Sequence, residues 1–171
     1  MTPAPIPADE AARLQALHQL QLLDSPPEER FERVVRFAAE QLDMPISLVS
    51  LIDGQRQWFK ARVGLDARQT DRDISFCGHA IMASELFVIE DASQDPRFVD
   101  NPLVTGAPHI RFYAGAPVNA PNGQRIGTLC VIDTVPRRLG PLERAVLEAL
   151  RTLVNEAVAG RHDDDAVEPR T

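Results

Sequence analysis

Cysteine is scarce in this 171-residue chain, with two residues far apart, and tryptophan and tyrosine occur once each. Two separated cysteines build no disulfide framework, and in a reducing compartment they stay free thiols. No apolar run is long enough to cross a bilayer, and Met1 to Ala8 is proline-rich where a secretory signal would need an apolar core, so a cytoplasmic protein is expected. Positive charge is also short. The formal net charge is −7, and no Lys/Arg cluster is interleaved with aromatics, which sets nucleic acid aside as a partner. No internal repeat is evident, and neither a Ser/His/Asp triad nor a catalytic carboxylate pair can be argued from spacing. What remains is the length and composition of one soluble domain with a sizeable core.

The most informative stretch runs from Arg111 to Asp133. Pro121-Asn122-Gly123 is turn chemistry between two apolar strand-formers, so the stretch reads as a β-hairpin. On its first strand Phe112, Ala114, Ala116 and Val118 face one way, and Tyr113, Gly115 and Pro117 the other. Neither face is plainly solvated, so these are central strands. The small residues Ala114, Gly115 and Ala116 leave space for a packed helix or a small molecule.

Before the hairpin, helices are predicted over Ala8 to Leu23, with Asp9 as cap, and over Glu28 to Leu42, where Phe31, Val34, Val35, Ala38, Ala39 and Leu42 recur at helical spacing. An antiparallel pair over 46–63 follows, turning at Asp53-Gly54. Residues 65–109 are irregular, with a short helix around Cys77 to Ala83 and a strand from Phe87 to Glu90. Gly140-Pro141 opens a last helix carrying the apolar stripe from Leu142 to Ala157. The domain is expected over 9–159, between a disordered proline-rich 1–8 and a disordered acidic tail, 160–171.

Seven segments in register carry a family resemblance: Leu22 to Phe31, Gln57 to Gly64, Ser75-Phe76-Cys77-Gly78-His79-Ala80, Asp95-Pro96-Arg97-Phe98, Asn101 to Val104, Arg111 to Pro117, and Gly127 to Asp133. Together they resemble a GAF domain of the bacterial kind found ahead of diguanylate cyclase or histidine kinase modules. The resemblance implies an α+β fold, a six-stranded antiparallel sheet sandwiched by helices, with a small-molecule pocket between one sheet face and residues 65–109. Phe76, Cys77, His79, Arg97, Phe98, Asn101, Arg111 and Tyr113 are the candidate ligand-binding residues, and a small polar or anionic ligand is expected.

Each candidate also has a structural reading. Ser75 can cap the short helix, with Cys77 packing as a small apolar group. Asp95 can cap a turn that Phe98 anchors, and Arg97 and Arg111 can pair with Asp91, Asp95 or Asp100. Zinc is not expected, since Cys77, His79 and Cys130 lack a fourth ligand, and no cofactor is assigned. Cys77-Gly78-His79-Ala80 is similar to the setting of a cysteine in free methionine-R-sulfoxide reductases of the GAF family. That chemistry needs a second cysteine in the loop before the hairpin, and residues 91–110 contain none. The cyclic-nucleotide signature of phosphodiesterase GAF domains cannot be placed. The expectation is therefore a non-enzymatic sensory module, a homodimer through its first and last helices. With no cyclase, phosphodiesterase or kinase signature in the sequence, it would act in trans on a signalling protein. The alternatives are a thiol-dependent reductase and a pure dimerisation module.

Overall fold

The structure, a computed structural model, describes residues 1–166, the last six by backbone alone. Helices α1 (Glu10–Gln19) and α2 (Glu29–Leu42) precede strands β1 (Ile46–Ile52), β2 (Arg56–Val63) and β3 (Gln69–Asp71). Short helix α3 (Phe76–Ala80), strand β4 (Phe87–Ile89) and the single turn α4 (Pro102–Thr105) follow, then the hairpin β5 (Phe112–Asn119) and β6 (Arg125–Asp133), and last α5 (Pro141–Ala166). All six strands form one antiparallel sheet in the order β3-β2-β1-β6-β5-β4.

The period-2 alternation of the hairpin divides the protein into two cores. Phe112, Ala114, Ala116 and Val118 of β5, with Leu129 and Val131 of β6, face Phe31, Val35 and Ala38 of α2 and Leu147, Leu150 and Val154 of α5. Tyr113, Cys130 and Ile132 face the other way, toward Phe76, Cys77, Ala80 and Phe98. The small alanines therefore admit packed helices, and the second face is left to the 64–110 segment. Gly123 takes φ +89° in the hairpin turn, as the Asn-Gly pair requires.

Three boundaries depart from the sequence reading. Helix α1 stops near Leu20 because Gln21 takes a left-handed φ of 55°, a turn that sends both Leu20 and Leu22 into the core. Asp9 stands at its N-terminus without a side-chain capping bond. Residues 1–8 are packed rather than loose: Thr2 N donates to Arg97 O (3.2 Å), Ala4 N donates to Asp73 O (3.1 Å), and Ala4 is buried. Prolines at 3, 5 and 7 restrict the free chain, which lowers the entropy lost in docking it. Helix α5 continues past Gly160 to Ala166, and the remainder of the expected tail, 167–171, lies outside the described residues.

Candidate functional site

On the second face the sheet is not fully covered. A cavity of about 400 Å³ lies between β1, β2, β5 and β6 on one side and the 64–67 loop, α3 and residues 103–110 on the other. Its exposed rim is Gly64, Asp66, Ala67 and Ala107, while Leu48, Phe76, Cys77, Tyr113 and Ile132 form a buried floor. The walls are mainly apolar. Gln57, a buried polar side chain in the lining, is itself engaged: Ser50 Oγ donates to its Oε1 (2.8 Å), and its Nε2 donates to Thr70 Oγ1 (2.9 Å).

Three of the eight candidates, Phe76, Cys77 and Tyr113, line this cavity. The other five are near it in the fold but are bonded elsewhere. Arg97 grips Asp95 with Nε (3.0 Å) and Nη2 (2.7 Å) and lies over the rings of Phe87 and Phe98. Phe98 is fully buried and stacks on Phe76 at 4.1 Å. Asn101 caps α4, accepting from Leu103 N (2.9 Å) and donating to Ile74 O (3.1 Å). Arg111 Nη1 donates to the carbonyls of Val104 (3.1 Å) and Ile110 (2.9 Å), holding the loop rather than an aspartate. His79 Nε2 lies 3.3 Å from Thr2 O, and burial pushes its imidazole pKa down. The arginines are thus structural braces, and the cavity is mainly apolar where a pocket for a small polar or anionic molecule was expected.

The floor carries the unusual chemistry. Ser75 Oγ accepts from Gly78 N (3.1 Å), capping α3 as expected and presenting Cys77 to the sheet. Tyr113 Oη donates to Cys77 Sγ at 3.1 Å and Thr128 Oγ1 donates at 3.0 Å. Cys130 Sγ is 3.8 Å from Cys77 Sγ, and both are free thiols. Burial raises the Cys77 pKa, but donors from Cys130, Thr128 and Tyr113 outweigh it and bring the thiol down to about 7. Burial and the neighbouring Cys77 push Cys130 well up, and burial also raises Tyr113, so its phenol stays a donor at neutral pH. Gly115 makes room for this arrangement, since a Cβ there would lie 2.2 Å from Tyr113 Oη.

Sequence reasoning did not single out Gln57, Ser50 or Thr128. Thr128 was within reach, because it precedes Cys130 by two on one strand and must share its face. Among the described residues no three His, Cys, Asp or Glu side chains cluster as metal ligands would, and no helix is long and apolar enough to cross a membrane.

The GAF domain family profile matches residues 26–158. A cyclic di-GMP phosphodiesterase of Pseudomonas aeruginosa is 49% identical over 157 residues, covering 90% of this chain and 26% of that protein, so the chain spans about a quarter of that relative. The GAF domain of an Acinetobacter phosphoenolpyruvate-protein phosphotransferase superposes with a TM-score of 0.64 at 19% identity, covering 91% of this chain and 98% of that one. Free methionine-R-sulfoxide reductase from Neisseria meningitidis, solved with its substrate, gives a TM-score of 0.64 at 15% identity, covering 98% and 100%. These two likenesses show the fold alone. The profile covers most of the chain and the sheet order and cavity follow the fold it implies: the chain belongs to the GAF domain family.

Proposed function

We propose that this domain is a regulatory sensor without catalysis of its own, whose cavity takes a small molecule with an apolar body and one hydrogen-bonding end. The carrying observation is the cavity of about 400 Å³, apolar-walled, rimmed by loops and floored by four strands of a rigid sheet. An anion would find no free guanidinium among its lining residues, so the ligand differs from the one the arginines suggested. The likeness to a quarter of a cyclic di-GMP phosphodiesterase supports an output in cyclic di-GMP signalling, exerted on a partner domain or protein in the cytoplasm. Transmission would run through α1 and α5. Self-association belongs to this reading: Phe37 and Leu153, 46% and 50% exposed, flank a groove between α2 and α5 that a second copy can fill.

Native mass spectrometry of protein taken directly from cells, followed by a thermal-shift screen of apolar carboxylic acids, amides and aromatic heterocycles, tests the sensor. Ala67→Trp, at the exposed rim, should block entry and abolish any shift while leaving the unliganded melting point within about 1 °C, as surface changes do. A stabilising ligand that Ala67→Trp does not displace, or no ligand in either experiment, would overturn the assignment of this cavity.

A further inference from the structure

The buried thiol pair is not used by the sensor reading, and it goes beyond that reading. We propose that Cys77 and Cys130 form a reversible, hydroperoxide-responsive pair, in which Cys77 is the thiol that is oxidised and Cys130 the thiol that resolves it. Three geometric facts assign the roles. Cys77 lines the cavity and Cys130 is not among its lining residues, so a small oxidant entering past Ala67 and Ala107 meets Cys77 first. Cys77 Sγ is the common acceptor of the Tyr113 and Thr128 hydroxyls, at 3.1 and 3.0 Å, which favours its thiolate, the nucleophilic form. Cys130 Sγ waits 3.8 Å behind it. Reaching the roughly 2.05 Å of an S–S bond needs a combined displacement of about 1.8 Å, within reach of side-chain rotation.

The chemistry balances without a metal or cofactor. The Cys77 thiolate attacks one oxygen of a hydroperoxide, the O–O bond breaks, and the departing alkoxide or hydroxide takes a proton to leave as an alcohol or water. Cys77 is then a sulfenic acid. The Cys130 sulfur attacks the Cys77 sulfur, the S–O bond breaks, and the hydroxyl leaves with the Cys130 proton as water. Two electrons pass from the thiol pair to the peroxide, and an external dithiol restores both thiols. The product ties α3 to β6 and takes the acceptor charge from Tyr113 and Thr128, so oxidation reshapes the cavity floor. A hydroperoxide is thereby registered at the same wall that a cavity ligand touches.

The experiment treats the reduced full chain with equimolar hydrogen peroxide at pH 7, quenches with N-ethylmaleimide, and maps thiols by intact mass and peptide mass spectrometry. The expected result is loss of both alkylation sites, one intramolecular peptide cross-link between Cys77 and Cys130, and full reversal by dithiothreitol. Cys130→Ser should accumulate a dimedone-reactive sulfenic acid at Cys77, and Cys77→Ser should leave Cys130 unreactive. Tyr113→Phe removes one donor to the thiolate and should slow oxidation at pH 7 roughly tenfold, moving the pH midpoint of the rate upward. The wild-type mapping decides the question even if a variant misfolds. Oxidation confined to urea-unfolded chain, intermolecular cross-links in its place, or a dimedone-reactive sulfenic acid at Cys130 in Cys77→Ser would each overturn the proposal.

Discussion

Replacing Glu10 by Gln should destabilise the domain by about 2 kcal/mol or more at neutral pH, and the penalty should vanish in acid. The Glu10 carboxylate accepts from Arg13 Nη2 (2.8 Å) and Nε (3.0 Å) and from Arg72 Nη1 (2.5 Å) and Nη2 (3.1 Å). Both guanidiniums are buried, at 1% and 2% exposed, and removing the charge between them leaves two like charges facing one another. Burial raises the Glu10 pKa, but the hydrogen bonds and charges of the two arginines prevail and lower it from 4.5 to about 2. At about 1.4 kcal/mol per tenfold, that fall is worth about 3 kcal/mol, which the solvent reaching the 19% exposed side chain trims to about 2. The folded-state pKa is depressed, so the stabilisation is fully present above pH 4.5 and is lost as pH falls toward 2. Urea melts of wild type and Glu10→Gln from pH 7 to 2.5 measure it, and the pH 7 difference should appear as a Tm drop of roughly 4–8 °C. A cost below about 0.5 kcal/mol at pH 7, or a gap that does not close in acid, would refute the argument.

Leu153→Glu should weaken the proposed self-association in sedimentation velocity without lowering Tm, because Leu153 is half exposed; the same charge at Leu150, which is 6% exposed and in the core, should instead unfold the protein in a thermal melt. Gly115→Ala should cost about 1–3 kcal/mol in urea denaturation, since its methyl would meet Tyr113 Oη at 2.2 Å and displace the phenol from Cys77. Arg97→Ala, at an exposed pair with Asp95, should change stability by less than about 1 kcal/mol, whereas Arg111→Ala leaves the carbonyls of Val104 and Ile110 short of a charged donor and should lower Tm more, a ranking that parallel melts test directly.

The faces of the sheet were legible in the sequence because alternation is a local property. Once Phe112 points to one side, Tyr113 must point to the other, and the helices and cavity divide accordingly. The cap at Ser75 was legible for the same reason, its partner Gly78 being three residues on. The fate of the arginines was not, since a guanidinium on a long stem reaches whatever carbonyl or carboxylate the fold brings near. Arg97 took the aspartate two residues away, but Arg111 took the carbonyl of Val104 from a turn whose path no local pattern dictates. The same limit hid the Glu10–Arg72 contact, which spans 62 residues. Composition also misled at Met1 to Ala8, where a proline-rich arm docks by its backbone and leaves no periodic signal.

These long-range contacts bear on how a state of the cavity could leave the domain. Arg72 stands in the turn directly before Ser75 and α3, and it donates both to Glu10 on α1 and to the carbonyl of Asp53 at the β1–β2 turn (3.1 Å). Helix α3 carries Phe76 and Cys77 into the cavity floor. A displacement of α3, whether by an occupant or by a bond to Cys130, therefore pulls on a segment clamped to α1 by a buried, charge-assisted contact. That contact resists stretching because separating it would strand two buried guanidiniums, so movement is cheaper if α1 follows. The N-terminal residues reinforce the link, since Ala4 N donates to Asp73 O within the same turn and Thr2 O meets His79 on α3. The first helix and the arm ahead of it are thus tied to the segments that flank and carry α3, whereas α5 packs on the opposite face of the sheet and reaches that side through Arg151 Nη1, which donates to Ser84 O (3.2 Å) in the loop after α3.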